Sequence, residues 1–577
     1  MRPSCIVLFL ATTAFAQSPP AWVARSNQNA QLLIDVDTKY NPENAASRGV
    51  KGQDDRISTL AAGQPEQERA DFRKVRVELQ NRAAKETDPL VKQDLQILIA
   101  TAERDIRDSE ANEKAFLPYE DVPGDIFYGV KSLLDDQIAA NRRPTALVRL
   151  QKYVGMTSGY TPLIEQAEAR FREKLKTSDL LGPAKIEVEK NLENTATYIT
   201  GIGLLLEKYK ITGYQPAYAK LKEQLTGYDE FVRKEVLPRS RSDFRLPPAI
   251  YASRLDRYGA DFTAPELERL AHKSVSEIQA QMEPLAVKVA KERGFKDTDY
   301  RSVIRELKKE QLKGDDVLPH YQHRLAEIEG ILRTKHLVTL PSRPAIIKLA
   351  TAAETAAQPA PHMQPPPLLD NHGERGAFVL PLATTGAGGA TLKYDDFTFA
   401  AASWTITAHE ARPGHELQFD AMVEQGVSLA RALFAFNSTN VEGWGLYSEW
   451  FMLPYMPDDG KLVSLQLRML RSARAFLDPE LQEGKVTPEQ AMQVLENDVV
   501  CSKAFATEEV ERFTFRSPGQ AVSYFDGLTR LLEIRQAAEK AMGPKFDVLK
   551  FHDFILSQGL LPPNLLRKAV LENFAAK

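Results

Sequence analysis

Residues 404–449 read WTITAHEARPGHELQFDAMVEQGVSLARALFAFNSTNVEGWGLYSE. The stretch reads as helix up to the Pro413-Gly414 step and as helix again around Glu442 to Glu449. It carries a His-Glu pair (His409, Glu410), a second imidazole after the Pro-Gly step (His415), and a carboxylate twenty-seven residues further on (Glu442). Two imidazoles, a general base and a third ligand are the components of a catalytic zinc site. The rest of the chain reads as a helical shell around this stretch.

The spacing makes a geometric demand. The common zinc helix sets its two His at i and i+4, on one face. Here they stand at i and i+6, which leaves the second about 120° off the first on a regular helix. Pro413 breaks the ladder and disfavours helical geometry at Arg412, while Gly414 tolerates unusual backbone angles. A local bulge there can turn His415 back toward His409. Glu416, at i+7, lies almost over His409 on an unbroken helix and is a rival or extra ligand. Glu410 is placed to hold a metal-activated water, accept its proton and pass it on. Glu442 completes the ligand set. Glu449, seven residues on and about 20° round the same face, is the acceptor expected to orient a ligating His. Gly443 and Gly445 each cost about 1 kcal/mol in a helix interior, so they imply close approach of a second helix.

Outward from this stretch, amphipathic helices dominate. Residues 57–116 mix acids and bases around Leu, Val and Ile at three-four spacing, which reads as solvated helix faces. More such segments fill 125–235 and 264–294, separated by Pro-bearing connections. Residues 17–50 are polar and carry little periodic signal, so little structure is expected there. QPAPHMQPPPLLDNHGERG (358–376) is Pro-rich and excludes helix interior. AFVLPLATT (377–385) follows as an edge strand, since Pro381 does not suit a central one. GAGGA (386–390) reads as a flexible turn without a phosphate-binding fingerprint. Such a strand beside the site can pair with an extended peptide. The expected fold is mainly α, one large helical body over 51–577 with a small strand element beside the active-site cleft.

The N-terminus has a different character. Arg2 precedes the apolar run CIVLFLATTAF, and Ala14-Phe15-Ala16 is a small-residue cleavage site. Residues 1–16 therefore read as a signal peptide, with cleavage after Ala16 and a periplasmic or secreted product. No later run reaches the length of a membrane span. Cys5 opens the apolar run instead of following it, which argues against a lipid anchor. Cys501 then stands alone in the mature chain and reads as a small core residue. A net charge of −4 over 577 residues gives no reason to expect nucleic acid as a partner.

The pieces H-E-x-x-P-G-H-x-L-Q (409–418), E-G-W-x-x-Y-x-E (442–449) and S-P-G-Q-A-x-S-Y (517–524) together resemble the bacterial domain of unknown function 885 family. The resemblance covers roughly residues 50 to 572. It implies a zincin-like, mostly helical fold and a metal-dependent peptidase. Family members often carry a second His where Glu416 stands here, and a Gly-Leu-His or Gly-Ile-His in the region of Leu481-Gln482. His409, Glu410, His415 and Glu442 match the family pattern.

The last segment, FRSPGQAVSYFDGLTRLLEIR, opens a helix at Pro518-Gly519 that presents Gln520 and Tyr524 on one side. Tyr524 is the candidate donor to a developing oxyanion. Gln520 is a candidate substrate or support contact, and Arg530 and Arg535 are candidates for a peptide carboxylate. His272, His320, His323, His336 and His552 read as packed or surface residues. The expectation is a zinc-dependent hydrolase of short peptides. A metal hydrolase of other amides or esters and a non-catalytic helical binding protein remain the alternatives.

Overall fold

The computed structural model describes residues 20–177, 179–385 and 391–576. Helix makes up 68% of it, so the protein is mainly α. The signal segment expected over 1–16 and the Gly turn expected over 386–390 lie outside the described residues.

The helices that place the site are, in chain order, α1 (Ala21–Tyr40), α2 (Gln64–Ala83), α3 (Pro89–Ala115), α4 (Val122–Lys131), α5 (Lys185–Lys208), α6 (Ala264–Arg293) and α7 (Gly314–Thr334). They continue with α8 (Ala400–Glu410), α9 (His415–Gln425), α10 (Ser438–Met452), α11 (Asp458–Glu483), α12 (Lys503–Glu511) and α13 (Val522–Met542). Helices α1, α2 and α3 pack together, and α4 packs on α5 around a second core that includes Phe127 and Tyr198. Helix α6 lies along α11, which also receives α8 and α13. Helix α10 packs along α13. Every residue of α8 from Ala401 to Glu410 is buried, as expected of a helix surrounded by others.

Two expectations are corrected here. The segment expected to be poorly structured over 17–50 is helical in its described part: Ala21–Tyr40 forms α1 and Pro42–Ser47 a short helix. Helix α1 buries Val23, Ala30, Leu33 and Ile34, but its inner face also carries Ser26, whose hydroxyl donates to Asp94 at 2.6 Å. A face that is partly polar and satisfied by a distant carboxylate weakens the periodic signal.

The second correction concerns the strands. Ala377–Leu380 (β3) is the centre of a three-stranded sheet, not an edge. It pairs in parallel with β1 (Ile346–Leu349) and antiparallel with β2 (His362–Gln364). Pro381 falls one residue past the end of β3, so its missing N–H interrupts no ladder. All four β3 residues are buried, which fits the uninterrupted apolar run better than an edge does. A separate hairpin pairs β4 (Ala383–Thr385) with β5 (Thr391–Lys393). Among the described residues, no helix is long and apolar enough to cross a membrane.

Candidate metal centre

Helix α8 ends at Glu410 and α9 begins at His415, so the Pro-Gly step separates two helices instead of bulging one. The backbone turns at Ala411 (φ −98°, ψ −108°) and again at Gly414 (φ −77°, ψ −132°). A Cβ on residue 414 would lie 1.8 Å from the His409 carbonyl oxygen, so only glycine fits the turn. Trp444 Nε1 donates to the Pro413 carbonyl at 2.9 Å and ties the break to α10. Arg412, 1% exposed, braces it from the other side. Its guanidinium bonds both Glu416 oxygens at 2.6 and 3.0 Å, reaches Glu329 at 2.8 Å, and also donates to the Arg343 carbonyl.

This break brings the two imidazoles together, with ring planes at 83° and centroids 4.6 Å apart. His409 Nε2 and His415 Nε2 are 3.1 Å apart. Glu442 Oε2 lies 3.4 Å from the first and 3.3 Å from the second. The Glu410 carboxylate is beside them, 4.0 Å from His409 Nε2. His409, Glu410 and His415 offer ligand atoms that all fall within 4.8 Å of one another.

The donors fit a small divalent cation. Ligands about 2.0–2.1 Å from a tetrahedral centre stand about 3.3–3.4 Å from each other. The triangle of two nitrogens and one oxygen has edges of nearly this length. Glu442 Oε2 is buried and has no hydrogen-bond partner among the described residues, an arrangement that a cation would satisfy. His409 Nδ1 faces Glu449 Oε1 at 2.8 Å, which turns its Nε2 toward the other donors. Glu449 is in turn fixed by Thr405 Oγ1 at 2.5 Å and Arg471 at 3.3 Å. Two imidazoles and a carboxylate suit zinc and its first-row neighbours.

Charge is tightly coupled in this cluster. Burial raises the Glu442 carboxyl, but the two imidazoles beside it reverse this and hold it well below the usual range. Burial raises Glu449 too, and Arg471, His409 and Thr405 bring it down to about 2. Burial lowers His409, and Glu442 and Glu449 more than restore it. Glu410 is pushed up to about 8 by burial, against the pull of His415 and with the push of Glu442.

The glycines expected to permit close approach do so on two sides. Gly443 faces Gly527 of α13, where a Cβ would meet backbone at 2.7 Å. At Gly445 a Cβ would lie 2.6 Å from Cε1 of His409. Gly445→Ala must therefore displace the imidazole by a sizeable fraction of an ångström. Metal affinity is expected to fall ~10–100-fold, measured by competition with a chromophoric chelator. Unchanged affinity would mean that the ring relaxes freely.

Tyr524 and Gln520 reach the site from α13 and the turn before it. The Tyr524 ring stacks on His409 with centroids 6.2 Å apart and planes at 16°. Gln520 Nε2 donates to Glu442 Oε1 at 3.3 Å and to Ser438 at 3.0 Å. Two candidates are not brought in as expected. Glu416 is fully buried against Arg412 and supports the break instead of joining the triangle. Arg535 donates to the Tyr447 hydroxyl at 2.9 Å and to Glu539 at 2.7 Å, away from the site. It stands eleven residues past Tyr524, on nearly the same side of α13 but about 16 Å along it. Arg530 pairs with Asp261 at 2.7 Å. His552 is buried, bonded to Tyr447 and to the Leu337 carbonyl, as a structural residue should be.

Glu410, His415, Glu442, Gln520 and Tyr524 line one cavity of ≈ 1630 Å³. Its other walls come from α1, α3, α4, α5 and the Pro-rich segment that includes β2. From the sequence only the loop and strand of residues 358–385 are placed beside the site; the helices are not, because a cavity wall leaves no local pattern. Asp125 on α4 opens onto this cavity, and among the described residues no cation is paired with it. Burial, then the carboxylates of Glu120, Asp121 and Glu43, push it up to about 8. The folded protein thus holds the Asp125 proton more tightly than the unfolded chain does. This group's contribution to stability falls as pH rises from about 4 to about 8, and is level above that. Asp125→Asn is expected to remove the decline, so that the variant's melting temperature gains on wild type across that window. Parallel profiles would show the carboxylate to be solvated.

Comparison with known proteins bears on the fold. The family model described as "Bacterial protein of unknown function (DUF885)" matches residues 42–570. A crystal structure described as that of "the putative lipoprotein from Colwellia psychrerythraea" superposes with a TM-score of 0.74 at 18% identity, covering 96% of this chain and 99% of that one. A second, "a putative lipoprotein of unknown function from Shewanella oneidensis", gives 0.71 at 18% identity, covering 96% and 100%. No curated protein matches the sequence.

Proposed function

The chain belongs to the DUF885 family, whose description assigns no chemistry, and from the side chains we propose that it is an exported, zinc-dependent hydrolase of short peptides. The observation that supports this is the triangle of His409 Nε2, His415 Nε2 and Glu442 Oε2, with Glu410 at its side and Tyr524 facing the same cavity. His409, His415 and Glu442 would hold the ion. When bound, it supplies Lewis acidity toward a substrate carbonyl and makes a water easier to deprotonate. A cation beside Glu410 would favour its ionised form, and the carboxylate would then take a water's proton and hand it to the departing amine. The Tyr524 hydroxyl donates to the carbonyl oxygen as negative charge develops there. Glu449 keeps the His409 ring aimed, and Gln520 holds the outer oxygen of Glu442.

The cavity suggests the substrate. Its ≈ 1630 Å³ exceeds the ~300–1,000 Å³ usual for small-molecule pockets and suits a peptide of a few residues. The edge strand β2, with His362, Met363 and Gln364 on the cavity wall, is the strand along which an extended peptide can lie. Export rests on the N-terminal segment 1–16.

The test is metal content together with peptide-library cleavage by the purified mature chain. About one zinc per chain is expected. Cleavage should stop on chelation and return with added zinc. A chain that binds zinc yet cleaves no peptide, while hydrolysing other amides or esters, would move the proposal to that substrate class. A chain that binds no divalent metal would end it.

A further inference from the structure

Arg512 belongs to none of the motifs above, yet its guanidinium stands between the two halves of the candidate machinery. On one side Nη1 donates to Gln520 Oε1 at 3.1 Å and lies 3.5 Å from the Tyr524 hydroxyl. Gln520 in turn donates to Glu442 Oε1 at 3.3 Å, the carboxylate oxygen turned away from the imidazoles. On the other side Nη2 meets Glu508 at 2.9 Å and Glu509 at 3.5 Å. Glu509 is gripped by Arg474 through bonds of 2.6 and 2.5 Å, and the Arg474 guanidinium lies 4.5 Å over the Tyr524 ring.

Tyr524 is thus fixed three ways: ring against His409, face under Arg474, hydroxyl beside Arg512. Glu508, Glu509 and Arg474 are 4%, 0% and 3% exposed, so the charges that hold Arg512 are taken almost wholly from water. Such a group is costly to bury and returns little stability beyond what apolar packing would. Arg512 opens a five-residue π turn, Arg512–Arg516, that follows α12 directly. Wide turns of this kind recur at functional sites because they aim side chains that a regular helix would not.

We propose that Arg512 is a positioning residue that couples the oxyanion donor to the metal ligand. It aims the Tyr524 hydroxyl and, through Gln520, the outer oxygen of Glu442. The planar guanidinium suits the task, because its fork addresses Gln520, Tyr524 and two carboxylates at once; an ammonium cannot. The Tyr524 arm rests on the hydrolase reading, whereas the Gln520 arm rests on metal binding alone.

Arg512→Lys keeps the charge among Glu508 and Glu509 and tests both arms. Zinc affinity, by chelator competition, is expected to fall ~10-fold. On a cleaved peptide, kcat should fall ~10²-fold with KM changed less than ~3-fold. In a Tyr524→Phe background, Arg512→Lys should add no further loss of kcat. Gln520→Leu, which leaves the buried charges alone, should lower zinc affinity as much as Arg512→Lys, and the pair together no further. Unchanged zinc affinity in Arg512→Lys, or kcat losses that multiply with Tyr524→Phe, would overturn the proposal. If wild type binds zinc and cleaves nothing, the hydrolase reading fails. The zinc measurements then still decide whether Arg512 positions Glu442.

Discussion

Glu410→Gln is expected to slow peptide hydrolysis by ~10²–10⁴-fold while leaving bound zinc in place. The substitution keeps the shape of the side chain and removes only its ability to take a proton. Glu410 lies outside the triangle of donors, at 4.0 Å from His409 Nε2, so loss of its charge removes no ligand. It is 8% exposed, at the cavity wall and next in sequence to His409. That is where a base must stand to reach a water held between the ion and a substrate carbonyl. Steady-state kinetics on one cleaved peptide, with zinc content measured on the same sample, separate the two effects. Full activity in the variant would remove Glu410 from the mechanism. Loss of zinc along with activity would make it a ligand instead.

Arg412→Met should destabilise the fold by about 3–5 kcal/mol, the usual cost of leaving buried ionised partners behind. Arg412 is the only cation bonded to Glu416 among the described residues, and Glu416 is 0% exposed. It also serves Glu329 at 2.8 Å and caps the Arg343 carbonyl. Arg412 itself lies between His409 and His415 in the chain, so its contacts fix the break that joins them. The same variant should therefore loosen zinc binding as well as the fold. Urea unfolding followed by far-ultraviolet dichroism gives the first quantity, and chelator competition the second. Arg412→Met combined with Glu416→Gln should recover part of the stability, because a neutral amide is cheaper to leave without its partner than a carboxylate. A loss under about 1 kcal/mol in the single variant would mean that water reaches Glu416.

Much of this was legible before the fold was known. The mainly helical architecture followed from three-four spacing over most of the chain, and the family from three short motifs. The i, i+6 spacing of the two His demanded a break, and Pro413-Gly414 supplied one. Gly443 and Gly445 announced close neighbours without naming them. One neighbour is Gly527; the other is the His409 ring itself.

The failures share a cause. Helix α1 was missed because Ser26 on its buried face is satisfied by Asp94, sixty-eight residues away. Strand β3 was taken for an edge because Pro381 was counted inside the run instead of just after it. Glu416 looked like a ligand on an unbroken helix, but the break rotates α9 and Arg412 claims the carboxylate. Arg535 shares a face with Tyr524 and stands three turns too far along it.

What sequence alone determined is therefore local: which residues form helices, where the chain must break, and which side chains are candidates for metal and acid-base chemistry. Those follow from backbone sterics and from periodicity, both of which act over a few residues. Tertiary structure decided the rest. It set which cation takes Glu416, where Arg512 stands, and which distant helices wall the cavity. Arg412 and Glu416 are four residues apart, but what places them and the other contacts is packing between elements far apart in the chain. Such contacts depend on packing and desolvation summed over the whole fold, which no short stretch records.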